Sequence, residues 1–173
     1  MAWEIDPFHT LVEFSVVHLK INIVKGRFKE VRGSLHLDIQ HPENSWVKAQ
    51  VNTASIDTGV PARDGHLRSA DFFEAVKYPT ILFESTSVEQ TGETTGIVTG
   101  NLTLHGVTRA VTFQAKFTGY TRDAETRGWR VGLTATTVVD RRNFDMYFNN
   151  RVEGVAMVGN EARIKLYIEA LQM

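Results

Sequence analysis

An apolar/polar alternation of period two recurs from one end of this chain to the other. That is the pattern of half-buried antiparallel strands, and it constrains the fold more than any other feature. Val12, Phe14, Val16 and His18 fall on one face of such a segment, with Glu13 and Ser15 on the other. Leu35, Leu37 and Ile39 alternate with His36 and Asp38, and Val47, Ala49 and Val51 with Lys48 and Gln50. Val111, Phe113, Ala115 and Phe117 alternate with Thr112, Gln114 and Lys116. Ile164, Leu166, Ile168 and Ala170 alternate with Lys165, Tyr167 and Glu169. Turn signals separate the segments: Asp6-Pro7, His41-Pro42-Glu43-Asn44, Gln90-Thr91-Gly92, His105-Gly106, Asp123 to Gly128 and Gly159-Asn160. The pattern predicts about eight or nine strands, most of them joined as hairpins.

One stretch breaks the period. From Pro61 to Tyr78 the sequence predicts one or two short helices, with Pro61 in a first turn and Asp71 capping a segment that carries Phe72, Phe73 and Val76, ended by Pro79. The fold class is therefore all-β with a small helical insertion. About eight long strands with one apolar face each close into an antiparallel barrel, which removes exposed sheet edges and can hold one small ligand. A two-sheet sandwich is the alternative that alternation leaves open. Glycines 26, 33, 100, 119 and 132 lie in or beside strand patterns, where they serve bulges and bends. Without repeats or linkers, residues 1–173 read as one domain, whose length and 42% hydrophobic content suffice for a core without metal or disulfide staples.

Composition removes several function classes. With 19 Lys+Arg against 20 Asp+Glu the formal net charge is −1, and there is no basic run, so nucleic acid is not an expected partner. Cysteine is absent, which excludes disulfides, thiolate metal sites and a cysteine nucleophile. Charges interrupt nearly every apolar stretch, so no stable membrane insertion is expected. Residues Met1 to Thr10 hold Glu4, Asp6 and Pro7 and no apolar signal core, which predicts a cytoplasmic location for the chain as written.

Six histidines are present, but none has the spacing that puts two imidazoles on one metal by local geometry, and no metal site is expected. The segment Arg63-Asp64-Gly65-His66-Leu67-Arg68-Ser69-Ala70-Asp71-Phe72-Phe73 holds Ser, His and Asp together, yet it lacks a nucleophile elbow and an oxyanion hole. Its charges either pair among themselves, Arg63 and Arg68 with Asp64 and Asp71, as parts of a plug on the barrel, or hold the polar head of a ligand. The inward faces supply Phe14, Val16, His18, Phe28, Phe83, Leu102, Leu104 and Phe113, joined by Phe72 and Phe73 from the insertion. These side chains fill a core, or they line an apolar cavity that prefers a hydrophobic guest.

The motifs Trp3-x-Ile5-Asp6-x-x-His9-Thr10, Val12-x-Phe14-Ser15-Val16-x-His18, Gly26-Arg27-Phe28 with Gly33, and Ser55-Ile56-Asp57-Thr58-Gly59 resemble those of the YceI-like family of lipocalin-like, polyisoprenoid-binding proteins. The resemblance continues through the 63–73 segment, Lys77-Tyr78-Pro79-Thr80-Ile81-Leu82-Phe83-Glu84-Ser85, and Gly100-Asn101-Leu102-Thr103-Leu104-His105-Gly106-Val107-Thr108. It implies an eight-stranded lipocalin-like barrel that stores or carries a polyprenyl or quinone-type lipid without catalysis, with no cofactor other than that lipid and a possible homodimer. Many members of the family are exported to the periplasm. The chain departs from the family where Asp145 replaces the glycine of the Arg-x-x-Phe-Gly run, and residues 147–158 match only loosely. Arg63, Asp64, His66, Arg68 and Arg142 are the expected head-group contacts. The rival readings are an enzyme with His66 or His18 as general base, oriented by Asp64 or Asp71, and an interaction module with a filled core.

Overall fold

A computed structural model describes residues 2–172. Thirteen strand segments follow one another: β1 (Ala2–Ile5), β2 (Leu11–His18), β3 (Asn22–Phe28), β4 (Val31–His36), β5 (Trp46–Asn52), β6 (Ile56–Asp57), β7 (Thr80–Gln90), β8 (Thr95–Leu104), β9 (Val107–Arg122), β10 (Trp129–Asp140), β11 (Arg151–Val152), β12 (Val155–Ala156) and β13 (Val158–Gln172). The strand pairings among the described residues are antiparallel, and the order β1-β4-β5-β7-β8-β9-β10-β13 closes on itself through a β1–β13 pairing. This is the closed barrel of eight strands that alternation predicts, and the sandwich alternative falls.

More segments than staves arise because two staves are broken. A single turn of 3-10 helix, Pro7–His9, separates β1 from β2, and Asp6 caps it by accepting the Phe8 N–H at 2.9 Å. Pro7 cannot donate to a ladder, so the stave kinks there. The residues between Phe28 and Val31 break the next stave in the same way, so that β2 pairs with β3 while β1 pairs with β4. Beyond Phe28 the barrel leaves a gap between β3 and β7. Into it fit β6, which pairs with β3 only at Arg27 and Phe28, and the helix α1 (Pro61–Arg68).

The 61–78 insertion thus contains one α-helix. Residues 69–77 continue as turns tied by Phe73 N–H to Leu67 O and Ala75 N–H to Arg68 O, both at 3.0 Å, and Asp71 pairs with His66 instead of capping a second helix. Ile39, expected on the inner face with Leu35 and Leu37, is 84% exposed, because β4 ends at His36 and the chain turns away. Register shifts mark bulges at Ser85/Ser87 in β7, Gly132/Leu133 in β10 and Val158/Ala162 in β13, which supply the bends of a small barrel.

Arg130 fastens the end of the barrel where β1, β10 and β13 meet. Its Nη1 donates to Asp6 Oδ2 at 2.6 Å and to Glu169 Oε2 at 2.8 Å, and its Nη2 donates to Asp123 Oδ2 at 2.7 Å. Arg130 lies in β10 opposite Leu171 and Glu169 lies in β13 opposite Gly132, whereas Asp6 directly follows β1 and Asp123 belongs to the β9–β10 connection. Asp6, His9 and Glu169 place ligand atoms within 4.8 Å of one another, but the guanidinium occupies the position a cation would take. Burial opposes ionisation of Asp6, yet hydrogen bonds from Arg130, His9 and the Phe8 amide hold its carboxyl below the usual range. The Thr126 amide and Arg130 do the same to Asp123.

Both carboxyls are depressed in the fold, so their stabilisation is complete above the unfolded carboxylate range near pH 4 and is lost as pH falls through it. Arg130→Met is expected to lower the unfolding midpoint at pH 7 and to flatten the acid limb between about pH 5 and 2. Thermal unfolding monitored by circular dichroism across that range checks this.

Candidate functional site

Inside the ring the apolar faces do not meet. A cavity of about 260 Å³ runs the length of the barrel, many times the space one water needs. Its middle is walled by Phe14, Phe83, Leu102, Phe113, Ala135 and Ile164. Its two ends differ. At the loop end it reaches His36, Leu37, Ser45, Trp46 and Val88, and Trp46 is 36% exposed there. At the opposite, capped end it stops against Phe73, Leu104, Val139, Arg141 and Met146.

Glycine shapes the wall at two places. A Cβ on Gly26 would lie 2.5 Å from Phe14 Cζ, and one on Gly100 would lie 2.6 Å from Phe83 Cζ. Each ring therefore rests against a neighbouring strand where a side chain is missing, so the aromatics lie along the wall instead of across the lumen. Phe14 packs on Phe28, Phe28 edge-on to Phe73, and Phe83 edge-on to Phe113, with centroids 5.2 to 5.6 Å apart. These three contacts of staves and cap keep the lining rigid.

The cap is built from three pieces. The β8–β9 hairpin turns through His105 (φ 53°) and Gly106 (φ 72°), both left-handed as a two-residue primed turn requires. His105 Nδ1 then meets the Phe144 carbonyl oxygen at 2.8 Å. A 3-10 turn, Arg141–Phe144, follows β10 and buries Phe144 to 1% exposure. It ends at Asp145 in the left-handed region (φ 58°), with the Asp145 and Met146 amides donating back to Arg142 O and Arg141 O at 3.2 Å. The departure from the family's glycine is thereby explained, since aspartate is among the few side chains that tolerate this conformation.

Of the sequence-predicted lining, Phe14, Phe28, Phe73, Phe83, Leu102, Leu104 and Phe113 border the cavity, and Val16, His18 and Phe72 do not. His18 is exposed at the end of β2, where it pairs with Val158 beyond the register shift between Val158 and Ala162 of β13. Phe72 packs edge-on to His66 and Phe148 on the outer layer of the cap. The expected head-group residues also stand outside the cavity. Arg63 donates to Thr58 Oγ1 and Thr58 O at 2.7 Å, and the buried Asp64 accepts from the Thr58 amide at 2.8 Å, so both hold the loop ahead of α1. The expected pairing of arginines with Asp64 and Asp71 is not what organises this segment. His66 Nε2 lies 2.8 Å from Asp71 Oδ2 on the surface. Arg68 is half-buried beside them, and Arg142 pairs with Asp140 at 2.7 Å.

Arg141, which sequence reasoning passed over in favour of Arg142, is the cation that reaches the cavity. Its side chain follows a strand whose alternation points Val139 inward, and a residue two further on falls on the same face. That period was the available signal.

A long barrel with a lined apolar interior and one capped end is the architecture of the lipocalin-like class. The chain belongs to the YceI-like family: the model of the YceI-like domain matches residues 3–170. A UPF0312 protein of Ectopseudomonas mendocina is 44% identical over 138 residues, covering 80% of this chain and 72% of the relative. One of Pseudomonas putida is 42% identical, covering 79% and 70%. The fold is shared with BcnA of Burkholderia cenocepacia (TM-score 0.84, 19% identity, 95% and 98% of the two chains) and with the YceI protein of Campylobacter jejuni (0.78, 25%, 91% and 90%). It is also shared with a structure described as a polyisoprenoid binding domain from Saccharophagus degradans (0.74, 13%, 99% and 98%). Among the described residues no helix is long and apolar enough to cross a membrane.

Asp145→Gly is expected to leave stability unchanged or slightly raised, whereas Asp145→Val, whose branched side chain resists a positive φ, costs about 1–2 kcal/mol. Denaturant unfolding of the two variants checks the order.

Proposed function

We propose that the protein binds a long isoprenoid lipid, of polyprenyl or quinone type, and carries or sequesters it without chemical conversion. The observation that supports this most is the continuous apolar cavity between Trp46 and Met146. Family membership and the described role of the S. degradans domain point the same way. A filled-core interaction module fits poorly with a barrel hollow along Phe14, Phe83 and Leu102. The His66–Asp71 pair, the acid–base arrangement an enzyme would need, lies on the surface of the cap and does not border the cavity.

The energetics of such a carrier follow from what the guest leaves. An isoprene unit gains roughly 3–4 kcal/mol on leaving water, at about 0.8 kcal/mol per carbon group buried. Several units summed in this way exceed the ceiling of about 20 kcal/mol for non-covalent affinity. The lipid's alternative, however, is a membrane and not water. Transfer from bilayer to an apolar barrel is nearly neutral, so exchange in both directions stays possible. Selectivity then comes from the shape of the cavity and from polar groups at its ends.

Organic extraction of the purified protein followed by mass spectrometry is expected to yield a prenyl lipid at near one equivalent. Ala135→Trp, which projects an indole into the lumen, is expected to reduce that yield severalfold with the fold retained. Arg63→Ala and His66→Ala, which touch no part of the cavity, are expected to leave it unchanged. A protein free of lipid after extraction, and indifferent to added prenyl lipid, overturns the reading.

A further inference from the structure

Among the described residues, no carboxylate forms a direct ion pair with the arginine that borders the capped end of the cavity. Arg141 is 6% exposed and borders the cavity. Its Nη1 donates to the Phe148 carbonyl oxygen at 2.7 Å, and its Nε has no partner. Asp140, the nearest carboxylate in sequence, is held by Arg142 through Nε at 3.0 Å and Nη2 at 2.7 Å. Glu13 also borders the cavity by position, but its carboxylate turns outward to Lys25 at 3.5 Å and belongs to an exterior groove.

A buried cation with no direct ion pair is unfavourable, and burial pushes the Arg141 guanidinium below its usual pKa, a shift that the neighbouring Asp140 charge offsets only in part. Tying down one carbonyl oxygen needs a single N–H, which any neutral donor supplies. A guanidinium brings five, in a fork that fits oxygen acceptors. Its surroundings, Phe73, Leu104, Val139 and Met146, are apolar, so any acceptor that reaches it is bound in a medium where such a hydrogen bond is strong.

We propose that Arg141 anchors the head group of the guest. The guanidinium donates to an oxygen acceptor at the capped end, a quinone carbonyl or an anionic phosphate or carboxylate, while the apolar chain runs past Phe113, Phe83 and Leu102 toward Trp46. The lipid is thus held head-inward. Its tail faces the end where the cavity reaches solvent, and the cations of α1 play no part. This inference rests on the lipid-binding reading above and assigns it a polarity and a ligand chemistry.

The test uses the full chain stripped of lipid and three probes with the same twenty-carbon isoprenoid skeleton: phytane, geranylgeranyl phosphate, and a naphthoquinone carrying a geranylgeranyl chain. Binding is followed by titration calorimetry. In the wild type at least one headed probe is expected to bind about tenfold or more tightly than phytane. In Arg141→Met that advantage is expected to fall below about threefold, with phytane bound as before. A preference for the phosphate that the substitution abolishes assigns an anionic head, and a preference for the naphthoquinone assigns a carbonyl. A wild type that binds phytane as tightly as both headed probes overturns the anchor, whether or not the variant folds. A folded Arg141→Met that keeps the wild-type preference also overturns it. If no probe binds, phytane included, the lipid-binding reading itself fails and the anchor with it.

Discussion

Closure of one sheet upon itself is the constraint on which everything else depends. Eight staves set a barrel girth fixed by strand number and stagger, and the inward side chains must fill whatever space that girth leaves. Here they do not fill it. Ile5, Leu35, Val131 and Ala170 pack one end, Leu104, Val139, Phe144 and Met146 the other, and between them the aromatics lie back against glycines of adjacent strands. Hydrogen bonding around the ring removes the need for a solid core, because each stave is held by two neighbours. The cavity is therefore a product of closure and of where glycine stands beside phenylalanine.

The two ends of the barrel handle charge in opposite ways. At the β1–β10–β13 junction, Arg130 meets three carboxylates, Asp6, Asp123 and Glu169, and the electrostatics are complete within the protein. At the capped end, Arg141 meets one backbone carbonyl and no carboxylate. Both arginines are largely buried, and both sit at an end of β10. One fastens the fold, while the other leaves a donor facing an apolar space, which is the arrangement expected of a site completed by its guest.

The insertion between β6 and β7 shows how a polar segment serves an apolar cavity without touching a ligand. Asp64 and Arg63 both engage Thr58, which fixes the start of α1 against β6. The helix then places Leu67 and the following turn places Phe73 over the gap left by the broken stave, where both pack on Phe28 and its neighbours. Phe72, one residue earlier, faces the other way and binds the 148 region to the outer layer through Phe148 and His66. The charged residues of this segment shape the cavity only through the apolar ones they position.

The period-two pattern by itself determined the class of fold, the closed barrel, most of the lining and the place of the helical insertion, because alternation on a strand fixes which side chains share a face. Six lining residues on strands, Phe14, Phe28, Phe83, Leu102, Leu104 and Phe113, were legible in this way. Tertiary structure decided the rest. His18 and Ile39 obey the alternation yet lie outside, because a strand's faces have meaning only while it remains in the barrel, and a bulge or strand end is set by pairing with a distant neighbour. Phe72 and Phe73 are adjacent, and no local rule says which of the two faces inward in a turn. Arg141 continues the inward period of Val139, but whether that period holds past the end of β10 cannot be read from the adjacent pair Arg141 and Arg142. They were separated by the left-handed residue at Asp145 and the closure of the cap, which turn one toward Asp140 in solvent and the other into the lumen.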